Sequence, residues 1–407
     1  MKVIYKTRIM ARDTELLYNE FSDELKQILH YWETFTVDKV NGGFYGAVNN
    51  DNRPNPEAPK GAVLCARILW SFSAGQAFEP AAHHLEMADR AYEYLRKYFR
   101  DPINDGVYWS LSYSGEPLDT KKQIYAQAFA IYALSEYYHV TGNEEAKDWA
   151  ISIYQLVEQY SLDKKLNGYI EAFNKDWTIA DDLRLSSMEF NSPKTMNTHL
   201  HLLEAYSRLY QVWPQEKLKA SLKNMLGLFR DHIILPQTHH LGLFFSNEWT
   251  LQSHIVSYGH DIEASWLLYE AAELLHDEKL LAEWKKISIA IAKASLEGID
   301  KDGGLMYELN LDTKHLVDEK HWWPQAEAIV GFYNAYQLTK SYNYYTTSSH
   351  SWAFIKQYII DERNGEWYWG VKKDHSIMEG MDKAGFWKCP YHNGRACLEM
   401  MKRLPKI

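Results

Sequence analysis

The sequence predicts an all-α protein, an (α/α)6 barrel of twelve helices with short β-hairpins at one end, in one domain over residues 1–407. Three observations carry that expectation. A short glycine turn returns six times at a nearly fixed period, each period holds two helix-like segments, and the two sets of segments distribute their apolar residues differently.

The turns are NGGFYG around Gly43, NDGVYWS around Gly106, NGYIEAF around Gly168, LGLFFSNEW around Gly242, DGGLMYEL around Gly304 and NGEWYWGV around Gly365, spaced by 63, 62, 74, 62 and 61 residues. Asn-Gly or Asp-Gly before alternating aromatics signals a hairpin. Six copies at one period signal a repeat architecture.

The first helix of each unit covers 14–32, 81–99, 144–160, 215–233, 277–295 and 344–359. Most of these segments are amphipathic, as outer helices should be. The second covers 60–75, 124–138, 195–210, 260–275, 324–338 and 392–404, and is apolar nearly all round. Helices apolar on every side are buried on every side. Six units of ~62 residues close naturally, and neither end reads as the polar cap of an open solenoid. The 74-residue period holds extra residues near 180–194, expected to form a longer loop over the mouth.

Composition narrows the function. With 21 Gly and 12 Pro, helix breakers are scarce, whereas 15 Trp and 29 Tyr suit a heavily packed core or a site that stacks flat ligands. A net charge of −10 disfavours nucleic acid and anionic membranes as partners. No apolar run approaches the ~18 residues of a membrane span, and the N-terminus is too polar for a signal peptide. Cys65, Cys389 and Cys397 lack zinc or redox spacing, so a soluble cytoplasmic protein is expected.

Polar residues where each inner helix starts should gather at one rim. They are Arg67, Tyr125 with Gln127, Asn197 with His201, His260 with Glu263, Trp323 with Glu327, and Trp387 with His392. Burying such groups is costly unless they are paired or used. Arg67 and Glu327 could alternatively form a structural ion pair, and each histidine alone could be a core residue. Their shared phase favours one pocket. His83–His84 and His239–His240 read as loop or outer-face residues. His199, two residues from His201, points the other way and reads as packing. His260 and Glu263, at i and i+3, are expected to share a face, the carboxylate holding the imidazole. Asn197 and His201, at i and i+4, likewise share one, as do His201 and Glu204 at i and i+3. His392 sits at a helix N-terminus, which favours neutral imidazole.

No GxGxxG or Walker A pattern, HExxH, or GxSxG appears, so neither a nucleotide cofactor, a catalytic metal nor a serine nucleophile is expected. An uncharged, aromatic-rimmed cavity suits a sugar, and histidines suit proton transfer near neutral pH. Moving a proton from one face of the carbon α to a carbonyl to the other needs two bases. Arg67 could stabilise the enediolate between them.

The stretches KTMNTHLHLLEAY, YGHDIEASWLL, HWWPQAEA and FWKCPYHNGRACLEM resemble those of the N-acylglucosamine 2-epimerase superfamily, and look most like its cellobiose 2-epimerase and mannose 2-epimerase branch. The resemblance covers essentially the whole chain. It implies cofactor-independent epimerisation at C2, converting reducing-end glucose to mannose through ring opening and a cis-enediolate. It also implies that His260 and His392 are the acid/base pair, that His201 and Arg67 contact the O1/O2 region, and that Glu263 and Glu327 orient the histidines. Trp323 and Trp387 would line the sugar site, with Tyr125 and Asn197 as substrate contacts. The expected partner is a mono- or disaccharide, and the expected state is a monomer or weak dimer. Loops 180–194 and 371–386 should decide whether a second ring fits. Alternatives are an aldose–ketose isomerase, a glycoside hydrolase using paired carboxylates, or a non-catalytic sugar-binding barrel.

Overall fold

A computed structural model describes residues 2–187 and 189–405. Among them twelve α-helices alternate between two rings: α1 (Lys2–Phe35), α2 (Ala62–Phe78), α3 (Ala82–Tyr94), α4 (Ile124–Thr141), α5 (Glu144–Leu156), α6 (Met196–Val212), α7 (Glu216–Leu228), α8 (Tyr258–Leu274), α9 (Glu278–Ser295), α10 (Trp322–Thr339), α11 (Tyr342–Phe354) and α12 (Tyr391–Arg403). The even-numbered helices contact one another in order, and α12 returns to α2, so the inner ring is closed. Each odd-numbered helix from α3 to α11 packs outside the helix preceding it, while α1 packs on α12, joining the two ends of the chain.

The apolar character of the inner helices decides this layering. Every residue from Ala62 to Gly75 of α2, and from Ile124 to Tyr137 of α4, is buried. Small residues let neighbours approach: a Cβ on Gly331 of α10 would lie 2.7 Å from the Ile262 carbonyl oxygen of α8. Among the described residues no helix is long and apolar enough to cross a membrane.

The glycine turns organise the rim at which the inner helices begin. Asp105–Gly106 and Asn167–Gly168 both carry positive φ at two successive positions, the geometry of a type I′ turn. Beyond the turns, strands of two or three residues staple neighbouring units. Lys60–Gly61 pairs with Ser110–Leu111, Lys122–Gln123 with Ala172–Phe173, Lys194–Thr195 with Phe244–Phe245, Ile255–Ser257 with Glu308–Asn310, and Lys320–His321 with Gly370–Val371. A bridge between Val48 and Ala384 closes the circle.

Ion pairs of buried lysines fix five of the six turns to the segment leading into the inner helix: Lys60–Asp38 at 2.8 Å, Lys122–Asp101 at 2.9 Å, Lys194–Asp163 at 3.0 Å, Lys320–Asp300 at 2.8 Å and Lys383–Asp361 at 2.5 Å. The fourth unit has Leu235 and Val256 in the corresponding places, losing both partners together. There His240 takes over. It is buried and bonds Asp261 through Nδ1 at 2.7 Å, so its expected outer placement is corrected. His84 is buried too, its Nδ1 3.2 Å from the Glu79 carbonyl.

Candidate active site

The rim formed by the inner-helix N-termini surrounds a cavity of about 520 Å3. Arg67, Tyr125, Asn197, His201, His260, Glu263, Trp323, Trp387 and His392 all line it. Of the eleven residues expected there, two do not line it: Glu327 stands back, behind His392, and Gln127 turns away. The loop 180–194 contributes Leu185, Ser186, Glu189 and Phe190 to the wall, as its length suggested. The loop 371–386 does not line it; only the flanking Trp369 and Trp387 do.

Helical phase separates structural from cavity-facing positions. In α4, α6, α8 and α10 the fourth residue accepts the backbone N–H that follows a turn: Gln127 from Val107 at 2.8 Å, His199 from Tyr169 at 2.9 Å, Asp261 from Leu241 at 2.8 Å and Gln325 from Leu305 at 2.7 Å. Gln127 therefore holds a turn rather than the cavity, a correction to its sequence placement. His199, with Nδ1 2.6 Å from the Thr195 carbonyl, is structural as expected. In α12 Asn393 does the related job through Glu366 at 2.7 Å. One residue before these positions come His260 and His392. Two residues after them come His201, Glu263, Glu327 and Arg395. The two histidines thus occupy corresponding places on different helices.

Their supports differ. His392 Nδ1 lies 2.7 Å from Glu327 Oε1 and 3.9 Å from Glu263 Oε1. His260 Nδ1 lies 2.8 Å from the Ser257 hydroxyl and makes no pair with Glu263. The expected His260–Glu263 couple is therefore absent, because Glu263 turns instead to Arg395 Nη2 at 2.5 Å. His201 does pair with its i+3 carboxylate, Nδ1 to Glu204 Oε2 at 3.0 Å. Trp323 packs near both imidazoles, 4.6 Å from His260 and 5.6 Å from His392, ring centre to ring centre.

Arg67 is not paired with Glu327. Its Nη2 donates to Tyr125 OH at 2.8 Å, and its guanidinium lies over Phe129 at 4.1 Å and Tyr391 at 4.7 Å. Asn197 Oδ1, Glu263 Oε2 and Arg67 Nε are buried without a protein partner, polar atoms suited to the hydroxyls of a polyol.

Burial governs the protonation states. It pulls His260 down to about 3, helped by His201. It also holds His392 well below the usual imidazole value, with Arg67 and Arg395 acting in the same direction. Burial and the Glu327 charge push Glu263 up to about 7. Burial raises Glu327 too, whereas Glu204, despite its burial, is held at about 2 by Arg395 and His201.

Glu263, Glu327 and His392 bring ligand atoms within 4.8 Å of one another, the geometry of a cation site. Arg395 Nη2, 2.5 and 2.7 Å from the two carboxylates, already supplies the positive charge at that point. The donor set therefore fits a guanidinium, and a metal ion would have to displace it.

The model of the N-acylglucosamine 2-epimerase family matches residues 42–396. The cellobiose 2-epimerase of Bacteroides fragilis is 48% identical over 388 residues, which span 95% of this chain and 99% of that protein. The chain belongs to the N-acylglucosamine 2-epimerase family. It is a sugar 2-epimerase, an isomerase acting on carbohydrates. The structure of cellobiose 2-epimerase from Bacillus thermoamylovorans superposes on this epimerase with a TM-score of 0.92 at 40% identity, covering 96% of this chain and 100% of that one. The D-mannose isomerase of Marinomonas mediterranea stands further off, 24% identical over 380 residues, spanning 89% of this chain and 92% of that protein.

The sequence reading of this epimerase missed Arg395, Glu204 as a hub carboxylate, Tyr391 and Ser257. Arg395 had a usable signal, since it stands two residues beyond Asn393 in the phase shared by His201, Glu263 and Glu327. Glu204 had only its i+3 spacing from His201.

Proposed function

We propose that this epimerase inverts C2 of the reducing-end glucose of a β-1,4-linked disaccharide, with His260 and His392 as the two acid/base groups. The observation that carries the reading is the pair of corresponding imidazoles at one cavity, each held through Nδ1 so that Nε2 is left for the sugar. After ring opening, one imidazole takes the C2 proton and the C–H electrons form the C1=C2 bond of an enediolate. Arg67 stabilises the charge gathering on O1. The other imidazole then gives a proton to the opposite face of C2.

Charge counting assigns the resting proton. Glu204, Glu263 and Glu327 oppose Arg67 and Arg395, leaving one uncompensated negative charge in a buried site. A single proton, shared by His392 with Glu263 and Glu327, neutralises it. His260, backed only by a hydroxyl, rests neutral and acts first as base. Each forward turnover transfers the proton to His260, and exchange with solvent resets the pair. Only protons move, so the chemistry requires no redox cofactor.

Support for a disaccharide comes from the relatives named cellobiose 2-epimerase and from aromatic residues on the outer cavity wall: Phe190, Phe244, Tyr307 and Trp369 can carry a second sugar ring. The cavity draws on all six inner helices, which supports one catalytic domain complete in a monomer. Three buried free thiols, Cys65, Cys389 and Cys397, support a reducing, cytoplasmic location.

Incubation with glucose, mannose and cellobiose separately in heavy water, followed by NMR, tests the reading. The expected result is deuterium at C2 of the 2-epimer, fastest with cellobiose. A ketose as the main product would move the chain to aldose–ketose isomerisation, and no exchange with any sugar would reject both.

A further inference from the structure

Behind the cavity lies a charged layer that the acid/base chemistry does not itself use. Its centre is Arg395, 2% exposed, on the second turn of α12. The guanidinium lies between two rings, 4.8 Å from Trp266 and 4.3 Å from Tyr391, which fix the plane of the fork. Its edge then serves three carboxylates. Nη1 donates to Glu204 and to the Tyr391 hydroxyl, while Nη2 donates to Glu263 at 2.5 Å and Glu327 at 2.7 Å. Two of those carboxylates hold imidazoles: Glu204 holds His201 at 3.0 Å, and Glu327 holds His392 at 2.7 Å.

We propose that Arg395 is the positioning residue of this site, a single guanidinium that keeps Glu204 and Glu327 anionic and aimed so that both His201 and His392 carry their proton on Nδ1 and turn Nε2 to the sugar. Resting on the epimerase reading above, this goes beyond it by linking two histidines from different helices through one cation. Arg395 does not line the sugar cavity, so it acts through its neighbours.

The residue type follows from the task. A planar fork offers five donors in fixed directions, and its two terminal nitrogens here serve two partners each. An ammonium could balance one carboxylate and would leave the others to repel each other in a buried layer. The relief available to such a layer is protonation of a carboxylate. A protonated Glu327 would donate to His392 Nδ1 instead of accepting from it. That reverses the tautomer of the neutral ring and removes the lone pair that the nitrogen facing the sugar needs when His392 acts as base in the reverse reaction.

The far side of this layer opens the way to a clean test. At the opposite end of the barrel a second cavity, of about 980 Å3, reaches Arg395, Glu204 and Trp266 from behind. A small cation can therefore approach the Arg395 position without crossing the sugar site.

The experiment combines two variants with NMR of the imidazole nitrogens. In the wild-type protein, His201 and His392 are expected to show protonated Nδ1; a deprotonated Nδ1 on either overturns the proposal whatever the variants do. Arg395→Lys should fold yet lose about 100-fold in kcat, the scale of a small misplacement of catalytic groups, with KM for the sugar little changed and with altered His201 and His392 nitrogen shifts. Arg395→Ala should regain roughly tenfold in kcat on addition of guanidinium at sub-denaturing concentration, without competing with sugar. Arg395→Lys with wild-type kcat and unchanged imidazole shifts would overturn the proposal. A wild-type protein inactive on every sugar would instead reject the functional reading, leaving the NMR measurement to judge Arg395 separately.

Discussion

His260 at the start of α8 and His392 at the start of α12 stand in the same helical phase at the same cavity, yet they rest on different foundations. Behind His392 are Glu327, Glu263 and Arg395; behind His260 is the hydroxyl of Ser257. Phase decides where a side chain goes, and the groups behind it decide what it does. Burial lowers both imidazoles, but the carboxylate-backed one has Glu327 and Glu263, themselves raised by burial, with which to share a proton, whereas the hydroxyl-backed one has no such neighbour and stays neutral.

Removing either histidine is the strongest way to probe this contrast. His260→Ala and His392→Ala are each expected to lower epimerisation by about 10⁴-fold, the upper range for general acid–base groups, with melting temperatures close to wild type. Next come the supports. Glu327→Gln should cost about 100-fold in kcat, because His392 loses its charged partner, and Ser257→Ala only about tenfold. Equal losses from the two, measured under saturating sugar, would break the asymmetry.

The pH profile sharpens it further. His260 is already neutral in the folded protein, so kcat/KM should hold from neutrality down to about pH 5 rather than falling at the ordinary imidazole value. The shared proton sets the alkaline limb. Glu263→Gln removes a neighbouring negative charge, so that proton leaves more easily and the limb should move to lower pH. A limb that stays put, or moves up, would place the proton elsewhere.

The smallest effect on activity is expected at His199. Its imidazole bridges the Thr195 carbonyl and the Tyr169 amide and does not line the cavity. His199→Ala should destabilise the fold by about 2 kcal/mol, the cost of stranding buried polar groups, with kcat nearly unchanged. Urea titration and steady-state rates check the two halves.

Much of this was legible in the sequence because a barrel of near-identical units turns chain position into place. The glycine turns marked the period, the apolar inner segments marked the ring, and nine of the eleven expected residues do line the cavity. Local spacing served well where partners are local, as for His201 with Glu204. It misled for Glu263, whose i−3 neighbour His260 lost to Arg395, 132 residues away. Such cross-barrel pairings depend on which inner helices adjoin and how deep each side chain reaches, and spacing along one helix carries neither. His240 was misplaced for a similar reason. The ion pair present in five units is missing from the fourth, and nothing in the local pattern THHLG shows that a buried Asp261 waits for it.

The most direct test of a two-face, two-histidine mechanism is exchange of the C2 hydrogen in the single variants. Glucose- and mannose-type epimers of the disaccharide would be incubated separately in heavy water with His260→Ala and with His392→Ala, and deuterium at C2 followed by NMR. The account predicts that each variant exchanges C2 of one epimer only, a different one for each, with almost no epimerisation. Exchange of both epimers by either variant, or exchange of the same epimer by both, would contradict it.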